Sequence, residues 1–173
     1  MKIVDLTLPL YTGMPVYPGD PEASIEKVQT LEKDCWDMRR IQINSHDATH
    51  VNAQVHGVEN GQNLDGYSLE QFCGPAKIYD GSIDPSKGVI FREQNIDINL
   101  AAEIKKVRPR FVGLSSKFEF DVGIEKELLK ENILLFERLA NLDQLPATFD
   151  FYGMPLKIKD GDGSPIRAFA IIG

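Results

Sequence analysis

The sequence predicts a mixed α/β domain whose late strands run antiparallel. Short runs with period-two alternation recur along the chain, and only a few segments have helical spacing. Clusters of Pro, Gly, Asn and Asp separate them. KIVDLTL opens the chain as a strand, with Ile3, Asp5 and Thr7 on one face and Val4, Leu6 and Leu8 on the other. YTGMPVYPGDP is too rich in Pro and Gly for a regular element and reads as an irregular loop. ASIEKVQT and MRRIQIN alternate at period two and read as strands.

A polar loop, HGVENGQNLDGYS, precedes a capping-box pattern of Ser68 with Gln71, which predicts a short helix through Phe72. AKIYD at 76–80 reads as a strand, and NLAAEIKK at 99–106 as a helix with Asn99 as its N-cap. Pro109 ends that helix, and FVGLSS reads as a buried strand. GIEKELLKEN at 123–132 spaces Ile124 and Leu128 four apart with charges between, the pattern of an amphipathic helix. NILLFERL gives a strand carrying Glu137. TFDFYGMPLKIK and IRAFAII read as the last two strands, joined by DGDGSP as a hairpin-like turn.

Composition narrows the function classes. The 173 residues carry a net charge of −7 with 42% hydrophobic and 26% charged residues, the balance of an ordinary globular domain. No Lys/Arg run interrupts that acidity, so neither nucleic acid nor an anionic membrane is an expected partner. No apolar run reaches the roughly 18 residues that a spanning helix needs. Asp5 breaks the opening apolar stretch, so MKIVDLTLPLYTGMP does not read as a signal peptide. Cys35 and Cys73 form neither a metal pattern nor a disulfide framework. The expected compartment is the cytoplasm, with residues 1–173 as a single domain.

All three histidines fall in one stretch, SHDATHVNAQVH, at 45–56. His46 and His50 share a face in either a helix or a strand. An extended chain would also align His56, Asn52 and Gln54, with Thr49, Val51, Ala53 and Val55 on the opposite side. Imidazole is both the commonest metal ligand and a general base near neutral pH. Against a metal site, Asp47 is odd-spaced and Asn52 is not a carboxylate. Spacing alone therefore leaves a metal site and a set of hydrogen-bonded structural histidines both open.

The stretch resembles the signature of the cyclase family of metal-dependent hydrolases, which includes bacterial kynurenine formamidase and isatin hydrolase. That signature reads H-x-G-T-H-x-D-x-P-x-H. His46, Thr49, His50 and His56 match in register, whereas Ala48, Asn52 and Gln54 replace Gly, Asp and Pro. DLTLPLYTGMPVYPGDP resembles the family's N-terminal block through Tyr17-Pro18-Gly19-Asp20. ELLKENILLFERLANLDQLP resembles a later block, with Glu137 in place and Arg138 where Asn is usual. MPLKIKDGDGSPIRAFAII resembles the C-terminal end.

The resemblance implies a mixed, largely antiparallel sheet wrapped by a few helices, a swivelling β/β/α-like arrangement. It also implies a homodimer or homotetramer, with residues 9–21 as a candidate exchanged arm. It implies His46, His50, Asn52, Glu125 and Glu137 as metal positions, His56 as acid/base, and Tyr17 and Pro18 as a wall against the substrate. The expected reaction is hydrolysis of a small amide, with arylformamidase as the reference activity and Zn or Mn as cofactor. Asn52 stands where the family has Asp, and Glu125 where it has His. The formal charge of the ligand set is thereby unchanged, while its oxygen content favours harder ions such as manganese. A neutral amide is a poor bridge between two metals, so one ion is expected rather than two. The competing expectation is a degenerate, non-catalytic member that binds a small molecule or protein partner. Asp20 is expected to anchor its loop, Arg167 to make a structural salt bridge, and Glu119 and Asp121 to be solvated or structural.

Overall fold

A computed structural model describes all 173 residues. The strands are β1 (Lys2–Asp5), β2 (Ser24–Gln29), β3 (Met38–Gln42), β4 (His50–Asn52), β5 (Cys73–Ile78), β6 (Gly88–Phe91), β7 (Val112–Ser115), β8 (Leu135–Leu139), β9 (Thr148–Tyr152), β10 (Gly163–Pro165) and β11 (Phe169–Ile172). The helices are α1 (Leu31–Asp34), α2 (Ile98–Val107) and α3 (Val122–Lys130), with short 3-10 turns between strands. Nine strands form one sheet in the order β1-β11-β9-β5-β6-β7-β8-β4-β10, while β2 and β3 form a separate two-stranded ribbon. The sheet is parallel through β5-β6-β7-β8 and antiparallel in its other pairings. The expected mixed, largely antiparallel α/β architecture is the observed one.

Alternation along the central strands builds two cores. Val89 and Phe91 of β6, Val112 and Leu114 of β7 and Leu135 of β8 pack under α2 and α3, against Leu100, Ala101, Ile104, Leu128 and Leu129. Ile90 and Phe136 point the other way and join Phe111 and Phe151 in the larger core. That opposition is the period-two geometry of a strand buried on both faces. Gly88 is required where it stands, because a Cβ there would lie 2.1 Å from the Phe111 ring.

Several local expectations need correction. The N-cap of α2 is Asp97, whose carboxylate accepts from Leu100 N at 2.9 Å, so the helix starts before Asn99. Helix α3 starts at Val122 because Asp121 caps it, accepting from Gly123 and Ile124 N–H. The DGDGSP segment is not a turn between the last two strands. Strands β9 and β11 do pair, but the chain between them first crosses to the far edge, where Gly163–Pro165 pairs with β4. Ser68 N–H does donate to Gln71 Oε1 at 3.0 Å, at the start of a 3-10 turn over Leu69–Phe72.

No helix is long and apolar enough to cross a membrane. Cys35 and Cys73 are free. Arg167 pairs with Asp5, 2.7 Å from its carboxylate, and ties the approach to β11 to the end of β1.

Candidate active site

The site lies where β4 meets β8. Their antiparallel register sets His50 opposite Glu137 and Val51 opposite Phe136. Val51 and Phe136 are fully buried in the larger core, so His50, Asn52 and Glu137 present the other face to a cleft. His46 reaches the same cleft through a tight turn in which Ala48 adopts φ 51°. The left-handed turn aims the Ala48 carbonyl at His50 Nδ1, 2.8 Å away. The His50 Nδ1–H donates to that carbonyl, which turns Nε2 to face Glu137 at 3.6 Å.

His56 does not continue an extended strand as expected. Strand β4 ends at Asn52 and a 3-10 turn over Gln54–His56 folds the chain back. The turn is held by Gln54, whose backbone N–H donates to Tyr67 Oη and whose side-chain oxygen accepts from Gln62 N. Gln54 therefore leaves the histidine face, and the His56 ring stacks over His46 with centroids 3.8 Å apart.

Asn52 is the hub of the polar network. Its amide nitrogen donates to Glu125 at 2.7 Å and to Glu137 at 2.6 Å. Its amide oxygen faces His46 Nδ1 at 2.8 Å. This amide orientation is the one that gives both carboxylates a donor. His46 Nε2 in turn lies 2.8 Å from Asp162. His46 thus donates from both ring nitrogens. Burial opposes its charge, but the Asp162 carboxylate outweighs burial and raises the His46 pKa.

The carboxylates diverge. Asp162 is held far below the usual range by hydrogen bonds from His46 and His56. Burial would raise Glu137, but His50 and Asn52 outweigh it and the net shift is downward. Glu125 is raised, first by burial and then by the neighbouring charge of Glu137.

The cleft has a volume of about 410 Å³ and is lined by the five expected metal positions and the expected acid/base: His46, His50, Asn52, Glu125, Glu137 and His56. Tyr17 and Asp20 also line it, whereas Pro18 does not. Tyr17 and Pro18 are both exposed, and Tyr17 is the one of the pair that borders the cleft. Within residues 9–21 Met14 is the buried residue, packed with Ala23 and Ala48, and the rest of the segment is largely exposed.

Asp162 is the site residue that sequence reasoning missed. It sits next to β10 and arrives through the β10–β4 pairing, with no spacing relation to the histidines. Arg138, Lys126 and Phe120 also line the cleft. Only Arg138 had a local signal, its place beside Glu137.

The donor set suits a divalent ion. His50 Nε2 to Glu137, His56 Nε2 to Glu125 and His56 Nδ1 to Asp162 are separated by 3.6, 3.6 and 3.4 Å. The His50–Glu137 gap is long for a hydrogen bond and matches the spacing of two ligands each about 2.1 Å from one ion. The tightest three-donor group combines His46 and His56 with Asp162, their ligand atoms within 4.8 Å of one another.

The chain is 35% identical to an uncharacterized protein of Methanocaldococcus jannaschii, over 99% of this chain and all of that one. It is 24% identical to a kynurenine formamidase of Erythrobacter litoralis, covering 96% and 92% of the two chains. A solved structure of an isatin hydrolase bound to a product analogue shares the fold with a TM-score of 0.82 at 21% identity, over 99% of this chain and 92% of that one. The Cyclase family model matches residues 4–119, and the chain belongs to the Cyclase family.

Proposed function

We propose that this protein is a metal-dependent hydrolase that cleaves a small amide in the manner of a kynurenine formamidase. The observation that carries this reading is the convergence of three histidines with Glu125 and Glu137 on one cleft, with Asp162 set against His46 and His56. The names of its relatives, kynurenine formamidase and isatin hydrolase, support the C–N bond of an amide or lactam as the target.

A single zinc or manganese ion is the proposed cofactor. His50 presents Nε2 to Glu137. His46 and Glu125 complete the proposed donor set, with Asp162 as an added oxygen. To ligate, His46 gives up one of its two ring protons, so uptake of the ion releases a proton. One ion fits better than two because the Asn52 amide nitrogen lies between Glu125 and Glu137 and cannot ligate. Asn52 then serves as a hydrogen-bonding brace rather than as a ligand.

A divalent ion bound here supplies acidity to a coordinated water and polarises the carbonyl of the bond to be cut. His56 sits at the open side of the cleft with Nδ1 turned to Asp162 and Nε2 turned to Glu125. Asp162 orients the ring, and Nε2 takes a proton from the attacking water and returns it to the leaving amine. Tyr17 forms one wall and packs on the substrate body.

A homodimer or homotetramer is part of the proposal. Val28, Leu31, Trp36, Met38 and Ile41 are exposed on and around the β2–β3 ribbon, a concentration of apolar area that an interface would cover. The free thiols and acidic surface suit the cytoplasm.

The hydrolase reading is tested with a panel of aryl formamides, lactams and esters, assayed with zinc and with manganese. Turnover that is lost in His56→Ala and on chelation is expected. Absence of turnover across the panel, with metal bound and the fold intact, favours the non-catalytic alternative.

A further inference from the structure

We propose that Arg138, assisted by Lys126, forms a carboxylate-binding subsite at the mouth of the cleft, so that the substrate carries an anionic carboxylate beside the bond that is cut. This rests on the hydrolase reading above and names the substrate class for the same cleft.

Consecutive residues of a strand point to opposite faces, yet Glu137 and Arg138 both line the cleft. Arg138 does so because it adopts φ 54°, at an irregularity where the β7–β8 register shifts between Gly113 and Ser115. No glycine relieves that conformation. The turn is instead pinned by the Thr49 hydroxyl, which donates to the Arg138 carbonyl at 2.7 Å. The fold thus holds a strained backbone that brings Arg138 to the cleft beside Glu137.

The guanidinium is not spent on the buried acids. Glu125 and Glu137 take their hydrogen bonds from Asn52. Arg138 pairs only with Glu119, at 3.3 Å, and Glu119 is 71% exposed whereas Arg138 is 21% exposed. So open a carboxylate is easily displaced by a ligand's own. Lys126 lines the same cleft and makes no ion pair. The planar fork of arginine matches a carboxylate through two parallel hydrogen bonds. A phosphate-type site is not favoured, because the nearby amino end of α3 already gives its N–H groups to Asp121. Phe120, Val122 and Leu129 add apolar lining to the same cleft. An aromatic ring with a carboxylate on one side and an amide on the other matches a lining of cationic, apolar and acidic side chains.

The test compares formanilide with meta-formamidobenzoate, which share the scissile bond and differ by the carboxylate. Wild type, Arg138→Gln, Arg138→Lys and Lys126→Gln are assayed with metal, with thermal melting to confirm folding. The wild type is expected to prefer the carboxylate-bearing amide in kcat/KM. In Arg138→Gln that preference falls about tenfold or more, chiefly through KM, and Arg138→Lys keeps part of it. An equal preference in wild type and Arg138→Gln overturns the subsite. Benzoate affinity is measured in parallel by calorimetry and decides the matter without turnover. Binding weakened about tenfold in Arg138→Gln supports the subsite, and equal binding overturns it. A wild type that binds benzoate through Arg138 but cuts neither amide counts against the amidase reading, not against the subsite.

Discussion

The Thr49 hydroxyl bridges two distant segments: it donates to the Arg138 carbonyl at 2.7 Å and accepts from the Leu8 backbone N–H at 2.9 Å. Thr49 is 1% exposed, while Leu8 and Arg138 are half-buried. Thr49→Val keeps the shape and removes both partners. Two half-buried groups that lose their partner predict a loss of about 1–3 kcal/mol in unfolding free energy. Denaturant titration checks this, and a midpoint equal to that of the wild type would show the bridge to be dispensable.

Asn52 braces two glutamates that would otherwise repel each other. Asn52→Asp replaces their shared donor with a third carboxylate. In chelated protein the melting temperature is predicted to fall by about 5–10 °C. Divalent metal should restore most of the loss, because the new carboxylate is a better ligand than the amide. Scans with and without metal separate this from a general folding defect, which metal would not reverse.

Gly163 lets the His46 ring lie against the β4–β10 pair. A Cβ at this position would meet His46 Cε1 at 2.5 Å and the Val51 carbonyl at 2.8 Å. Since one obstacle is backbone, Gly163→Ala must shift β10 or His46. The predicted cost is about 1–3 kcal/mol in stability, with metal affinity down by about 10–100-fold. Isothermal titration with manganese reads the second effect directly, and unaltered affinity would mean that His46 does not need this approach.

Glu127 joins α2 to α3 by lying between Lys105 and Lys130. The hydrogen bond from Lys105, with that from Lys130, brings its pKa down from 4.5 to about 2. A depressed carboxylate pKa gives stability that is present above 4.5 and is lost as the pH falls towards 2. Glu127→Gln should therefore be less stable than the wild type at neutral pH, and the gap should close between about pH 5 and about pH 2. Unfolding curves that stay parallel across that range would remove Glu127 from the acid response.

How much of this was legible in the sequence differs from residue to residue. Spacing exposed α3 through Ile124 and Leu128, and the apolar run before Glu137 exposed β8. The histidine cluster announced the site, because its members are close along the chain. Its geometry was hidden: the 3-10 turn that folds His56 over His46 depends on Tyr67 and Gln62, which lie beyond the motif. Asp162 was hidden for a related reason, since the β10–β4 pairing joins segments far apart in sequence. Arg138 was noticed only as a departure beside Glu137. Nothing local signals its left-handed backbone, which a hydroxyl some ninety residues earlier holds in place.

The central claim is that this cluster holds a divalent ion through His50. The most direct measurement is the metal content of protein purified without chelator and then equilibrated with zinc or manganese, for the wild type and His50→Ala. The account predicts one tightly held ion per chain in the wild type and its loss in His50→Ala, because His50 is the imidazole that faces Glu137. A wild type that takes up neither metal, or a His50→Ala variant that retains its ion in full, would contradict it.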